Sequence, residues 1–335
     1  MPRIALVGAG VTGDRIAKRL DVLMPGCTVV ACDARGDRRA AVGCDVAILA
    51  HGGQQIESAT KLIAAGVPVV STSDNFDDVR SLVELDDAAG RQDVQLVAAA
   101  GMSPGLTGLL ARYLADQLDR CDEIHIAVHG TAGPACARQH HRALAGHAVG
   151  LHDGEQITRP AGSGRELCWF PEPVGAYDCY RAEMASPMLL GSLFADVERI
   201  SARMSANRRD RLTARLPMLS PPHREGGVGA VRVEVRGADA SGQRVTLIAG
   251  VAELVATCAA ATAVAFAAAV VRRELPTGLT IAGDASLDTI GLLHDIERLG
   301  VRLQEFTGIP HPAHPAPPTK EAPIASASAT ANKDT

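Results

Sequence analysis

A short apolar run, Ile4 to Val7, passes directly into Gly8-Ala9-Gly10-Val11-Thr12-Gly13, so three glycines stand at GxGxxG spacing between a strand and a helix. No other feature of the chain narrows its fold so far. Gly8 permits a tight turn, Gly10 keeps a side chain away from a pyrophosphate, and Gly13 lets the helix pack closely on the strand. Val11 and Thr12 open that helix, whose first N–H groups lack intrahelical partners and suit a phosphate. Asp33 ends the next apolar run, 20 residues beyond Gly13, where a carboxylate can accept hydrogen bonds from adenosine ribose hydroxyls. Strand, turn, helix and acid together predict a dinucleotide site. The plainer alternative is a glycine turn kept for packing beside a solvated carboxylate. Asp33 favours NAD by repelling a 2′-phosphate, whereas Arg35, Arg38 and Arg39 could accept one and admit NADP, unless they form only a solvated basic turn.

The same alternation continues through the first third of the chain. Thr28 to Cys32, Asp45 to Ala50, Val67 to Val70 and Val94 to Ala99 read as further strands, separated by helical patterns at Thr12 to Leu20, Gln54 to Ala65 and Phe76 to Ala89. Such alternation implies an α/β fold with a doubly wound, Rossmann-type parallel sheet. Near Arg120 the pattern changes: strand-like Glu123 to Val128, a hairpin at Asp153-Gly154 and a strand pair around Ala238 to Gly242 predict a second α+β domain with a mainly antiparallel sheet. Helical periodicity returns at Leu254 to Val271 and Leu287 to Leu299. The expected division is 1–120 with 252–309 for the dinucleotide domain, 121–251 for a substrate and dimerisation domain, and 310–335 for a disordered, proline-rich tail.

Composition limits the partners. The 335 residues are 47% hydrophobic and 21% charged with a formal charge of -5, which fits a globular chain and offers no global field for nucleic acid. Eight cysteines without a CxxC pair, and a first strand that begins almost at the N-terminus, lead us to expect reduced thiols and a cytoplasmic protein. Leu254 to Val271 is long enough to span a bilayer, but its alanine content gains little in lipid, and a buried helix is the expectation.

Ala99-Ala100-Gly101-Met102-Ser103-Pro104-Gly105-Leu106 leads from the fifth strand into another helix. With Gly8, Gly10 and Gly13 at the start, this GxxPG turn and the change to an antiparallel second domain, the chain resembles the saccharopine dehydrogenase-like family over most of residues 1–309. The resemblance implies hydride transfer in a cleft between the two domains, and it places Gly101, Pro104 and Gly105 on the cofactor side. It also implies a homodimer formed through the second-domain sheet. A strand-to-helix turn with Pro104 early in the helix is the alternative for those three residues. Some enzymes of the family use a lysine as acid or base, whereas the only lysines here are Lys18, Lys61, Lys320 and Lys333.

Within the second domain, Pro134 can begin a helix reaching Leu144, on which Arg138, His141 and Arg142 share a face and His140 lies nearer the face of Cys136. Two guanidiniums can clamp a carboxylate and an imidazole can exchange a proton near neutral pH; a solvated basic face is the bland reading. Trp169, Phe170, Tyr177 and Tyr180 are four of only nine aromatic residues, a concentration that suggests a pocket, an interface or simple core packing. There Arg165 could bind a carboxylate and Tyr177 donate a proton. Cys168 and Cys179 match no standard ligand spacing, so no metal is expected, and Gly162-Ser163-Gly164 lacks the context of a hydrolase nucleophile.

These residues point to an NAD(P)-dependent oxidoreductase acting at a C–N bond of an amino-acid-like carboxylate, with His141 and Tyr177 as acid–base candidates. Arg138, Arg142 and Arg165 are the candidate clamps. A nucleotide-sensing regulatory protein without turnover, or a dehydrogenase of a carbonyl or hydroxyl substrate, are the alternatives.

Overall fold

The structure, a computed structural model, describes residues 1–34, 36, 38–218 and 221–306; Arg35 and the tail expected at 310–335 lie outside them. β1 (Arg3–Val7), β2 (Thr28–Cys32), β3 (Val46–Leu49), β4 (Val69–Ser71) and β5 (Gln95–Val97) pair in parallel in the order β5-β4-β3-β1-β2. Alternate residues go to opposite cores. Ile4, Leu6, Val46 and Ile48 enter one, and Ala5, Val7, Ala47 and Leu49 the other. Burial on both faces is why β1, β3, β4 and β5 read as unbroken apolar runs, whereas β2, at the edge of the sheet, is largely exposed up to Cys32.

The connecting helices are α1 (Val11–Ala17), α2 (Leu20–Leu23), α3 (Ile56–Ala64), α4 (Phe76–Val83), α5 (Asp86–Arg91) and α6 (Leu106–Ala115). The single helix expected over 76–89 is two. Leu85 N–H bonds to the Leu82 carbonyl at 3.1 Å, a tightened last turn, and Asp86 and Asp87 open the next helix where acids are favoured.

The second domain contains β6 (Arg120–His129), α7 (Pro134–Ala143), β7 (His147–His152), β8 (Glu155–Pro160), β9 (Glu166–Phe170), β10 (Gly175–Arg181), α8 (Ser186–Leu193), β11 (Arg199–Ser205), α9 (Arg208–Thr213), β12 (Val228–Ala238) and β13 (Arg244–Leu254). Its sheet is mixed and mostly antiparallel: β6 pairs with β12 antiparallel and with β11 parallel. The β7–β8 hairpin turns at Asp153 and Gly154, whose φ values of 53° and 74° are those a two-residue hairpin loop requires.

The chain then returns through α10 (Val255–Arg272), β14 (Gly278–Thr280) and α11 (Thr289–Arg298), with β14 adding to β5 at the edge of the first sheet. A last short strand, β15 (Gln304–Glu305), pairs instead with β13, so the end of the returning segment belongs to the second sheet. Every residue of α10 from Val255 to Val270 is buried, because the helix packs on α1 and β3 from the first domain and on β12 and β13 from the second. Its many alanines permit that close approach on several sides, and one apolar cluster runs through α10 from Ile4 and Ile48 to Val231 and Val233.

On the opposite face of β12, Arg232, Glu234 and Arg236 follow one another at the strand period of two. Glu234, with a side chain only 6% exposed, is ion-paired to both arginines. Burial pushes its pKa up, but the two guanidiniums outweigh burial and hold it below its usual value. A carboxylate whose pKa is depressed by folding contributes stability above its unfolded pKa and loses it as pH falls through the folded value. In urea titrations from about pH 6 down to about pH 3, the stability of Glu234→Gln should therefore decline less than that of the parent protein. Parallel declines would remove Glu234 from the acid response.

Candidate active site

The strand order reverses between β1 and β3: from β1 the chain moves outward to β2, then crosses to β3 on the other side. Ligands of open α/β sheets bind at such a switch point, at the carboxyl ends of the strands. Here that end carries Gly8–Thr12 after β1, Ala50–Gln55 after β3, Thr72–Asn75 after β4 and Gly101–Ser103 after β5. Together with α7 and two residues of α10 they enclose a cleft of about 790 Å³, next to a hollow of about 410 Å³ above β2.

The three opening glycines do three different things. Gly8 has φ +114°, and a Cβ on it would come within 2.8 Å of the His51 nitrogen. A Cβ on Gly13 would strike the Gly8 carbonyl oxygen, so Gly13 holds the helix against the turn. Around Gly10, among the described residues other than its chain neighbours, nothing lies within 4 Å of where a Cβ would stand, and Gly10 lines both the cleft and the hollow. An open position of this kind could admit a diphosphate to the backbone. Gly10 precedes α1 with no side-chain cap, and Val11 and Thr12 line the cleft beside it. Asp33 lines the hollow with Ala9, Ala31 and Ala34, where its carboxylate could accept from ribose hydroxyls, and Arg38 and Arg39 begin the short 3₁₀ turn beyond it.

The GxxPG residues divide. Gly101 lines the cleft, whereas Pro104 and Gly105 border a small gap against Ser186 and Leu189 of α8. Their contribution is the turn itself: Gly105 has φ +125°, Gly101 N–H bonds to the Pro104 carbonyl at 3.0 Å, and Leu106 N–H to the Gly101 carbonyl at 3.0 Å. Pro104 lies two residues before α6 begins at Leu106, so it is not in the first helical turn.

From the second domain, α7 forms the facing wall, with Cys136, Arg138, Gln139, His140 and Arg142 among the lining residues. Arg138 and Arg142 are both exposed there, and among the described residues no carboxylate is paired with either. His141 is turned away. It lies one turn beyond buried Ala137, on the side facing the domain, and its Nε2 is 3.3 Å from Thr213 Oγ1 of α9. Tyr177 is also outside the cleft lining, its ring 4.0 Å from that of His129 on the second-domain sheet, and Arg165 pairs with Asp178 at 2.9 Å. The aromatic concentration is largely sheet packing: Phe170 and Tyr180 are buried, and Arg211 covers the Tyr180 ring at 4.0 Å.

Two groups in the cleft carry no local sequence signal. His51 lines both spaces, its Nε2 3.3 Å from Ser58 Oγ. Asp74, 62 positions before Cys136, brings its Oδ2 to 3.4 Å from Cys136 Sγ and 3.6 Å from His140 Nε2. Cys136 Sγ is in turn 3.6 Å from the same His140 nitrogen. Burial works against a charged His140 ring, but the neighbouring Cys136 sulfur and Asp74 carboxylate outweigh it and raise its pKa well above the ordinary range.

No protein-family model matches the chain, and no curated protein sequence does. Solved structures do resemble it. Saccharopine dehydrogenase (L-Glu forming) from Saccharomyces cerevisiae superposes with a TM-score of 0.65 at 12% identity, over 91% of this chain and 100% of that one. A meso-DAPDH variant from Clostridium tetani, solved with DAP, gives 0.51 at 14% identity over 87% of this chain and 96% of that one. An engineered D-amino acid dehydrogenase bound to NADP+ gives 0.50 at 16% identity, over 87% and 95%. The architecture is therefore a saccharopine dehydrogenase-like, two-domain α/β fold.

Proposed function

We propose that the chain is an NAD(P)-dependent oxidoreductase that works at a C–N bond of an amino-acid-derived carboxylate. One observation carries this reading: a single cleft joins the glycine turn at Gly10 to the paired guanidiniums of Arg138 and Arg142. The residues fit a dinucleotide, since Gly10 leaves the approach to the backbone open and Asp33 stands at the hollow next to it. Gly8, Gly10, Val11, Thr12 and Gly101 would hold the cofactor, which when bound supplies or accepts the hydride. Asp33 favours NAD over NADP, because a carboxylate accepts from ribose hydroxyls and repels a 2′-phosphate.

Arg138 and Arg142, one helical turn apart, bind and orient the substrate carboxylate, fixing the reacting carbon within the cleft. We place the proton transfer inside this cleft as well, not on His141 or Tyr177. Enclosure between α7, α10 and the strand-end loops excludes part of the solvent and strengthens these charge interactions.

The direct test measures oxidation of NADH and NADPH with panels of 2-oxo acids and amines, separately and together. Amine-dependent turnover is expected; coenzyme binding with no turnover on any combination would favour a sensor. Arg138→Ala and Arg142→Ala should each raise KM for the carboxylate substrate roughly 10- to 100-fold with a smaller change in kcat, as for loss of a charge-assisted hydrogen bond of about 1.5–3 kcal/mol. An unchanged KM in both would remove the clamp.

A further inference from the structure

We propose that Asp74, Cys136 and His140 form a mononuclear zinc(II) site whose fourth position opens into the cleft. Asp74 lies on the loop after β4, while Cys136 and His140 lie four residues apart on α7, so the first domain supplies one ligand and the second supplies two. All three line the cleft.

The distances fit an ion better than a relay. Zinc–sulfur bonds of about 2.3 Å and zinc–nitrogen or zinc–oxygen bonds of about 2.0 Å, at tetrahedral angles, put sulfur roughly 3.5 Å from each lighter donor and those two donors roughly 3.3 Å apart. The observed triangle has sulfur–oxygen 3.4 Å, sulfur–nitrogen 3.6 Å and nitrogen–oxygen 3.6 Å. In a Cys–His–Asp proton relay the thiol and the carboxylate would use opposite ring nitrogens. Here both face His140 Nε2, so one sulfur, one nitrogen and one oxygen converge on a common point.

The donor set selects the metal class. Magnesium and calcium take oxygen ligands, whereas thiolate with imidazole and carboxylate suits zinc. A thiolate and a carboxylate together neutralise a divalent cation. Cys136 is a free cysteine and half-buried, with the Asp74 and His140 side chains 31% and 17% exposed, so the group is neither sealed nor fully solvated. Three protein ligands with an accessible fourth position are the pattern of catalytic, not structural, zinc. In the proposed reaction that position would hold a substrate oxygen or nitrogen, or a water. The inference about the reaction rests on the oxidoreductase reading, whereas the binding of the ion does not.

The experiment uses the full chain, stripped with a chelator and titrated calorimetrically with zinc chloride, with a parallel cobalt(II) titration followed by absorption. One equivalent of zinc is expected. The cobalt form should show intense visible bands of a tetrahedral centre and a sulfur-to-cobalt charge-transfer band in the near ultraviolet. Cys136→Ser, His140→Ala and Asp74→Asn should each weaken zinc binding by roughly 100-fold or more, while Cys27→Ser, away from the cleft, leaves it unchanged. Absence of stoichiometric binding, a weak octahedral cobalt spectrum, or full affinity in Cys136→Ser would overturn the proposal. The cobalt spectrum of the parent protein decides the matter even where a variant fails to fold. Coenzyme titration of the same samples separates the two readings: zinc bound without coenzyme sinks the oxidoreductase and leaves the site, and the reverse sinks the site alone.

Discussion

Replacing Gly10 by valine should abolish useful coenzyme binding and leave the fold intact. Gly10 has φ −79° and ψ −173°, an extended backbone that any residue adopts, and among the described residues none but its chain neighbours comes within 4 Å of the position its Cβ would take. The new side chain therefore meets no protein atom at its root and occupies the approach to the helix start. Loss of two charge-assisted contacts between backbone N–H groups and the diphosphate amounts to about 3–4 kcal/mol, or roughly a few hundred-fold in affinity. Gly13→Ala supplies the contrast: its methyl group would strike the Gly8 carbonyl, and overpacking of this kind costs about 1–3 kcal/mol of stability. Calorimetric titration with NADH and NADPH, paired with thermal melts, reads both effects. Undiminished affinity in Gly10→Val would mean that the dinucleotide, if bound at all, lies elsewhere.

The difference between these glycines also shows what a sequence can reveal about such a site. The strand, turn and helix around Gly8, Gly10 and Gly13, with Asp33 just past the next strand, are readable because they depend on short, local spacing. The parallel sheet is readable for a related reason, since burial on both faces writes continuous apolar runs at β1, β3, β4 and β5, and only the exposed edge strand β2 lacks that cause. His51 and Asp74 follow different strands, and only the sheet order places them beside Gly10 and α7. No spacing announces that.

Helix α7 shows a third situation. Its periodicity correctly sets Arg138 with Arg142 and Cys136 with His140, but a helical period says which residues share a face and not which face looks into a cleft. Grouping His141 with the arginines follows from spacing alone, while the packing of Ala137 and the contact with Thr213 turn that ring toward α9. The GxxPG turn divides for the same reason: the chain reversal is local, but the side on which Pro104 and Gly105 fall is decided by the packing of α8. Equally, the mixed pairing in the second sheet comes from β6 and β11, which are too far apart in sequence for a hairpin signal.

Asp78→Ala is expected to be the most destabilising single change near the cleft. Its carboxylate is 1% exposed and accepts hydrogen bonds from the backbone N–H groups of Gln55 at 2.9 Å and Ile56 at 3.0 Å, and from Ser73 Oγ at 2.6 Å. The two backbone donors belong to the start of α3, and Ser73 to the loop that carries Asp74, so one buried side chain ties two cleft loops together. Alanine would leave these donors without an acceptor in a site that water reaches poorly. Stranding buried donors and losing bonds to a charged acceptor should cost about 3–4 kcal/mol, read as a lower urea midpoint. Asp78→Asn keeps the shape and one acceptor oxygen and should recover roughly half of that loss. Because the same carboxylate fixes the strand-end loops, Asp78→Asn should also weaken coenzyme binding more than its stability deficit alone requires, measured at low denaturant where the variant is fully folded. If affinity in Asp78→Asn matches the parent protein, the network holds α3 in place but does not shape the cleft.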